Sequence, residues 1–230
     1  MTELIEIDKT LLLWFNGSDS LFLDGFARTF TKVSIWIPLY ISLLFLVLKN
    51  NDNVKKIILI IVGAILCTVL AGSLNDMFVK PGIARLRPSR DIEIAMLVDI
   101  VNGYRGGPYG FFSSHASNTI SIAVFLSIIV RSKLLTVSLV LWSLINCWTR
   151  MYLAVHFPCD IFVGLIWGSI VGILLWYVYY KIIVRFSHKG EYISSHYTPT
   201  GYQLTDIDIV ISVLIMTVLY VIIKSCYMMI

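Results

Sequence analysis

The sequence predicts an all-α fold, a polytopic bundle of transmembrane helices in one domain. Three observations carry this. Of 230 residues, 58% are hydrophobic and only 14% charged, and the mean hydropathy is +0.84. Several apolar runs approach or exceed the roughly 20 residues that a helix needs to cross a bilayer. Short basic segments separate those runs. The net charge of +4 is modest, and no basic stripe interleaves with aromatic residues, so nucleic acid is not expected as a partner. The four cysteines, Cys67, Cys147, Cys159 and Cys226, show no metal-ligand spacing and read as structural thiols. The chain begins with Glu3, Glu6 and Asp8 and lacks the basic region of a cleavable signal.

Residues 1–32 form an amphipathic leader. An apolar stretch, Leu11 to Phe15, precedes a turn at Asn16-Gly17, and Phe22, Phe26 and Phe30 recur at helical spacing. Such a segment is expected to lie in the membrane interface. The first span is residues 33–48, flanked by Lys32 and Lys49, whose stems can snorkel. A polar loop at 49–56 leads to a second span at 57–79, and then comes a polar segment at 80–112. The third span, 113–130, and the fourth, 134–155, are joined by a short loop at 131–133. Pro158 opens the fifth span, 158–184, because its missing N–H has no partner in a first helical turn. There Gly164, Gly168 and Gly172 repeat every fourth residue, the pattern of close helix approach. A connection at 185–206 precedes a sixth span, 207–223. The expected organisation is one domain with a leader at 1–32, a core at 57–184 and an additional C-terminal span within 207–230.

Loop charge sets the expected orientation. Lys49, Lys55, Lys56, Arg131, Lys133, Arg185 and Lys189 follow spans one, three and five, which places those loops in the cytoplasm. The loops after spans two and four then face outward. Arg85, Arg87, Arg90 and Arg105 break the charge rule on that outer side, and phosphate binding would supply a reason. Residues 89–112 mix an apolar piece at 92–101 with Gly103, Gly106, Gly107 and Gly110; a lid and a plain interfacial loop both fit.

Three polar clusters fall on that outer face: Lys80 to Pro88, Phe112 to His115, and Thr149 to Asp160. His156 and Asp160 are four apart, so on a helix starting near Phe157 they lie close to one face. A carboxylate there can hold one imidazole nitrogen and leave the other free to react. Arg150 offers a planar fork for phosphate. Each cluster also has a plain reading. Lys80 can pair with Asp76, Ser113 can cap a helix, and Asp160 can cap the next. Together they describe an anion site: cationic arms, a helix N-terminus at Ser113 to His115 that adds N–H groups and a favourable dipole, and two histidines for chemistry.

Lys80-x6-Arg87-Pro88, Ser113-x-His115 and Arg150-x5-His156-x3-Asp160 resemble the three-part signature of the type 2 phosphatidic-acid phosphatase superfamily. The resemblance covers roughly residues 57–184. The family's usual Pro-Ser-Gly-His reads Phe112-Ser113-Ser114-His115 here, and its usual Ser before the Arg is Thr149. The resemblance implies that His156 is the nucleophile, that Asp160 orients it, and that His115 serves as general acid and then base. It implies that Lys80, Arg87 and Arg150 hold the phosphate oxygens, with Ser113 and Ser114 completing the cradle. It implies no metal and no cofactor. The substrate would be a lipid phosphate drawn from the membrane lipids at the outer face of the cytoplasmic membrane. Undecaprenyl pyrophosphate or a lipid A phosphate leads, and phosphatidylglycerol phosphate and phosphatidic acid come next. Transfer of the phosphoryl group to another lipid is the alternative to hydrolysis. A silent lipid-binding protein is disfavoured by the complete set of histidines and cations.

Overall fold

The computed structural model describes residues 2–184 and 195–227. Arg185 and Lys189, two of the basic residues used for orientation, lie outside them. The architecture is all-helical, with no strand among the described residues beyond two isolated bridges.

Helices α1 (Thr2–Phe15) and α2 (Leu21–Phe30) make up the leader. On α1 the residues Leu4, Ile7, Leu11 and Trp14 recur at helical spacing and are exposed, while Asp8 and Leu12 are buried. The outward stripe fits a membrane interface. The inward one rests on protein, because Asn16 donates through Nδ2 to the Tyr152 carbonyl at 2.7 Å. Ser20 caps α2 by accepting from the Leu23 N–H.

A 3₁₀ turn (Val33–Trp36) then leads into α3 (Ile37–Lys49), and the axis bends by 69° between α2 and this segment. Trp36 fixes the bend by donating from Nε1 to the Phe30 carbonyl at 2.8 Å. Helix α4 (Val54–Thr68) continues through two π-helical turns, Val69–Ser73 and Asn75–Val79, into the short α5 (Lys80–Ile83). Wider turns of this kind are common at functional sites.

Helices α6 (Ser114–Val130), α7 (Lys133–Tyr152), α8 (Pro158–Val184) and α9 (Leu204–Tyr227) complete the bundle. Helix α6 is central. Its small residues Ser117 and Ser121, with the preceding Ser113, face Gly164, Gly168 and Gly172 of α8. A Cβ at those glycines would lie 2.7, 2.3 and 2.7 Å from the carbonyl oxygens of Ser113, Ser117 and Ser121. The two backbones therefore meet along matching four-residue stripes.

Among the described residues four segments are long and apolar enough to cross a membrane: Val54–Ile83, Lys133–Tyr152, Pro158–Ile183 and Leu204–Tyr227. A fifth appears if α2 and Val33–Lys49 count as one bent span. The six spans expected from sequence are therefore not reached by length and composition. Helix α6 has 17 residues, about 26 Å at 1.5 Å per residue against a hydrocarbon core of about 30 Å. The expected first span falls short because its opening residues form the 3₁₀ turn, leaving α3 with 13.

The segment between α5 and α6 folds over one end of the helix bundle. Gly110 donates to the Arg85 carbonyl at 2.9 Å, and Ser89 donates to the Ala154 carbonyl at 3.2 Å. Within it Ile94 and Val98 are buried against Leu12 and Phe157, whereas Ile92, Met96 and Leu97 point outward.

Candidate active site

His156 stands in the turn between α7 and α8. Ala154, at φ 51°, reverses the chain there in a region that residues with a Cβ seldom occupy. Helix α8 then starts at Pro158, and Asp160 accepts the Phe157 N–H at Oδ2, 3.0 Å away. Asp160 therefore does cap its helix, as the plain reading held, and it is also the carboxylate beside His156. The imidazole Nδ1 lies 3.6 Å from Asp160 Oδ2, attractive but too long for a hydrogen bond. Gly110 closes that side of the ring, and a Cβ on it would sit 3.1 Å from Asp160 Oδ2. The other nitrogen, Nε2, is 3.3 Å from Arg87 Nη1.

His156 is buried. That burial, with the charges of Arg87, Arg150 and Lys80, holds the imidazole well below its ordinary pKa. The ring is therefore neutral near pH 7, with a lone pair available. Arg87 donates to the Val155 carbonyl at 2.9 Å. Its own burial and the nearby Arg150 charge bring its pKa down to about 10. Arg150 donates to Thr31 Oγ1 at 2.6 Å and to the Tyr104 hydroxyl at 3.3 Å. Both guanidiniums are buried, neither pairs with a described carboxylate, and the Nε of each has no hydrogen-bond partner among the described residues. Two like charges held together out of water are costly unless an anion joins them.

Lys80 completes the cationic side and pairs with Asp76 at 2.6 Å, one turn back as its plain reading expected. Asp76 also accepts from Ser114 Oγ at 2.7 Å, and Ser114 accepts from Asn75 Nδ2 at 3.0 Å. Ser113 caps α6 by accepting from the Ala116 N–H, and its own N–H donates to the Asp160 carbonyl at 3.0 Å. The Ser113 hydroxyl, expected in the phosphate cradle, is thus engaged in capping α6, and the Ser114 hydroxyl ties α6 to the π-helical turn, while the backbone N–H expected of Ser114 stays at the helix start. What α6 leaves to an anion is its first N–H groups, those of Ser114 and His115. The His115 ring lies by the Thr31 carbonyl and feels the charges of Arg150, His156 and Lys80.

All eight residues singled out in the sequence thus gather at one end of the bundle formed by α5 to α8. The arginine cluster between α5 and α6 divides. Arg87 faces the histidine, while Arg105 donates to the Ser89 carbonyl at 3.0 Å and so braces the covering loop. Arg85 turns the other way. Its Nη1 meets Asp160 Oδ1 at 2.8 Å, its Nη2 meets Asp8 Oδ2 at 2.6 Å, and it stacks over the Phe157 ring at 4.2 Å. Burial opposes its charge, but Asp160 and Asp8 outweigh that and raise its pKa. Asp8 also accepts the Cys159 N–H at 2.8 Å. Asp8, Thr31 and Tyr104 are site neighbours that the motifs do not reveal. Asp8 alone carried a signal, as one of three carboxylates, with Glu3 and Glu6, on the first helix.

The arrangement offers a neutral imidazole, a second histidine and a cationic basin facing one space, a geometry suited to transfer of a tetrahedral anion. The sequence matches the PAP2 superfamily over residues 53–183. It is 42% identical over 184 residues to the lipid A 4'-phosphatase of Bacteroides thetaiotaomicron, covering 79% of this chain and 81% of that protein. It is 38% identical over 182 residues to the lipid A 4'-phosphatase of Porphyromonas gingivalis, covering 78% and 75%. The fold is similar to the crystal structure of Aquifex aeolicus LpxE, with a TM-score of 0.54 and 27% identity over 72% of this chain and 92% of that one.

Proposed function

The chain belongs to the PAP2 superfamily, and on that premise we propose that it is a membrane phosphatase that hydrolyses a phosphate group from lipid A at the outer face of the cytoplasmic membrane. The observation that carries this is the buried Arg87 and Arg150 pair with no carboxylate partner among the described residues, set against a neutral His156. Lipid A phosphate takes precedence over undecaprenyl pyrophosphate because both curated relatives act on lipid A by name.

In this reading His156 attacks phosphorus through Nε2, the nitrogen turned toward Arg87. A P–N bond forms as the P–O bond to the sugar breaks. His115 gives its proton to the leaving oxygen. Asp160, with a carboxylate oxygen near Nδ1, stabilises the positive charge that the imidazole gains on phosphorylation. Lys80, Arg87, Arg150 and the first N–H groups of α6 hold the non-bridging oxygens and offset their charge in the transition state. Water then attacks the phosphohistidine, and His115 takes back a proton, so the enzyme returns to its starting state with inorganic phosphate released. The core at 57–184 carries this chemistry, and the leader at 1–32 braces it.

The test is phosphate release from purified lipid A phosphate, measured with excess chelator and with an acceptor lipid present. The expected result is release that survives chelator, is inhibited by vanadate and is lost in His156→Ala. His115→Ala should slow release by about 10²–10⁴-fold. Unimpaired release by His156→Ala, or transfer to the acceptor in place of release, overturns the reading.

A further inference from the structure

Two carboxylates and one cation are packed behind the Nδ1 side of the His156 ring. Asp160 and Asp8 are 0% and 3% exposed. Arg85 lies between them, with Nη1 2.8 Å from Asp160 Oδ1 and Nη2 2.6 Å from Asp8 Oδ2. The remaining oxygen of each carboxylate is also engaged. Asp160 Oδ2 accepts the Phe157 N–H at 3.0 Å, and Asp8 Oδ1 accepts the Cys159 N–H at 2.8 Å. Those N–H groups open α8 and have no acceptor inside the helix. The leader therefore places a carboxylate one guanidinium away from the acid that serves His156.

Fastening the leader does not require Asp8. Leu12 is fully buried in one cluster with Ile94 and Phe157. Asn16 donates to the Tyr152 carbonyl at 2.7 Å and accepts the Asp99 N–H at 2.8 Å. Holding Asp160 does not require Asp8 either, since Arg85 and the Phe157 N–H already do so. A buried carboxylate costs free energy and has to be compensated. What Asp8 adds is charge. Asp160 and Arg85 alone are neutral together, so the guanidinium cancels much of the field of Asp160 at the ring. With Asp8, two carboxylates and one guanidinium leave one net negative charge. That matches the single positive charge that the imidazole gains when phosphorus bonds to Nε2.

We propose that Asp8 and Arg85 are positioning residues for the reaction at His156. Arg85 fixes the Asp160 carboxylate beside the ring, and Asp8 supplies the negative charge that lets this group stabilise the phosphohistidine cation. The stabilisation grows as the P–N bond forms, so it favours the transition state over the resting enzyme. The leader then acts on the chemistry through Asp160, in addition to bracing the core. A network that only fastened α1 would show no such dependence on net charge.

The inference rests on the proposed phosphohistidine reading, so its test uses two probes on the full chain in detergent. One is lipid A phosphate in single turnover, with enzyme in saturating excess. The other is vanadate, which bonds to the same nitrogen without turnover. Asp8→Asn keeps an acceptor for the Cys159 N–H and removes the charge. It should slow appearance of the dephosphorylated lipid about tenfold and weaken vanadate binding about as much, the scale of one nearby charge at an effective dielectric of about 20. Adding Arg85→Gln returns the group to one net negative charge, and should bring both quantities back to within about threefold of wild type. Asp8→Ser, carried through the same series, keeps the comparison if Asp8→Asn does not fold. A single-turnover rate at saturating enzyme does not depend on the fraction folded, so lost packing alone leaves it unmoved. A wild-type rate in Asp8→Asn overturns the inference, and so does a double variant no faster than Asp8→Asn. Vanadate affinities equal across the series remove it even where wild type releases phosphate. No release by wild type, with vanadate still weakest in Asp8→Asn, removes only the hydrolytic reading. Failure of wild type to bind vanadate removes both.

Discussion

At the scale of single residues, His156 stands out because burial and three cations oppose its protonation. The consequence for stability follows from linkage. Unfolded, the imidazole takes up a proton near its ordinary pKa of about 6.5; folded, it does so only at lower pH. The unfolded state therefore binds more protons as pH falls through that value. The stability that neutral His156 allows is complete above about pH 6.5 and is lost below it. Thermal unfolding midpoints of wild type and His156→Gln should thus converge or cross as pH is lowered from about 7.5 to about 5, with wild type losing more. Parallel curves would show that this ring titrates alike in both states. The sequence disclosed His156 and Asp160 through their spacing, and Ser113 through its place before an apolar run. It did not disclose that Arg85 bridges Asp8 and Asp160. Asp8 and Arg85 are 77 positions apart, and no local periodicity encodes a meeting at that separation. Arg85 was visible only as one member of a basic cluster, and its burial against two carboxylates is a tertiary fact.

Among the elements, the glycine repeat alone showed that α8 meets another helix closely, but not that the partner is α6. Its partner stripe, Ser113, Ser117 and Ser121, was hidden among residues that also suit caps and turns. A Cβ at Gly168 would fall 2.3 Å from the Ser117 carbonyl oxygen, and a backbone atom cannot swing aside as a side chain can. Gly168→Ala should therefore destabilise the fold by about 1–3 kcal/mol. Gly82, in α5, has nothing within 4 Å of its would-be Cβ, and Gly82→Ala should be neutral or slightly stabilising, since alanine suits a helix better. Thermal unfolding in detergent separates the two, and equal behaviour would mean that α6 and α8 can part at little cost. The bend after α2 was less legible. Pro38 lies in the first turn of α3 and marks its start, but the apolar run from Val33 masks that boundary. The π-helical turns before Lys80 leave no signature in composition. They are set by packing against α6, including the Asn118 amide against Gly72.

For the whole molecule, the question is which face of the membrane carries the site. Lys49, Lys55 and Lys56 flank the turn between α3 and α4, and Arg131 and Lys133 flank the turn between α6 and α7. His115, Arg150 and His156 lie at the opposite ends of α6 and α7. The positive-inside bias then predicts that the two basic turns lie in the cytoplasm and the site outside. Three of the four arginines that break this bias are accounted for individually, because Arg87 faces the phosphate site, Arg85 is neutralised by Asp8 and Asp160, and Arg105 bonds to the backbone of Ser89. Helix α1 is tied to the site through Asp8, so its exposed stripe of Leu4, Ile7, Leu11 and Trp14 would rest on the outer leaflet. Two probe positions report the orientation. Asp52 is exposed in the turn between α3 and α4, and Gly107 is exposed over the site with nothing within 4 Å of its would-be Cβ. In a background lacking the exposed Cys159 and Cys226, intact cells carrying Gly107→Cys should react with a membrane-impermeant thiol reagent, while cells carrying Asp52→Cys should react only after lysis. The reverse pattern would put His156 in the cytoplasm, and the enzyme would then meet its lipid before export rather than after it.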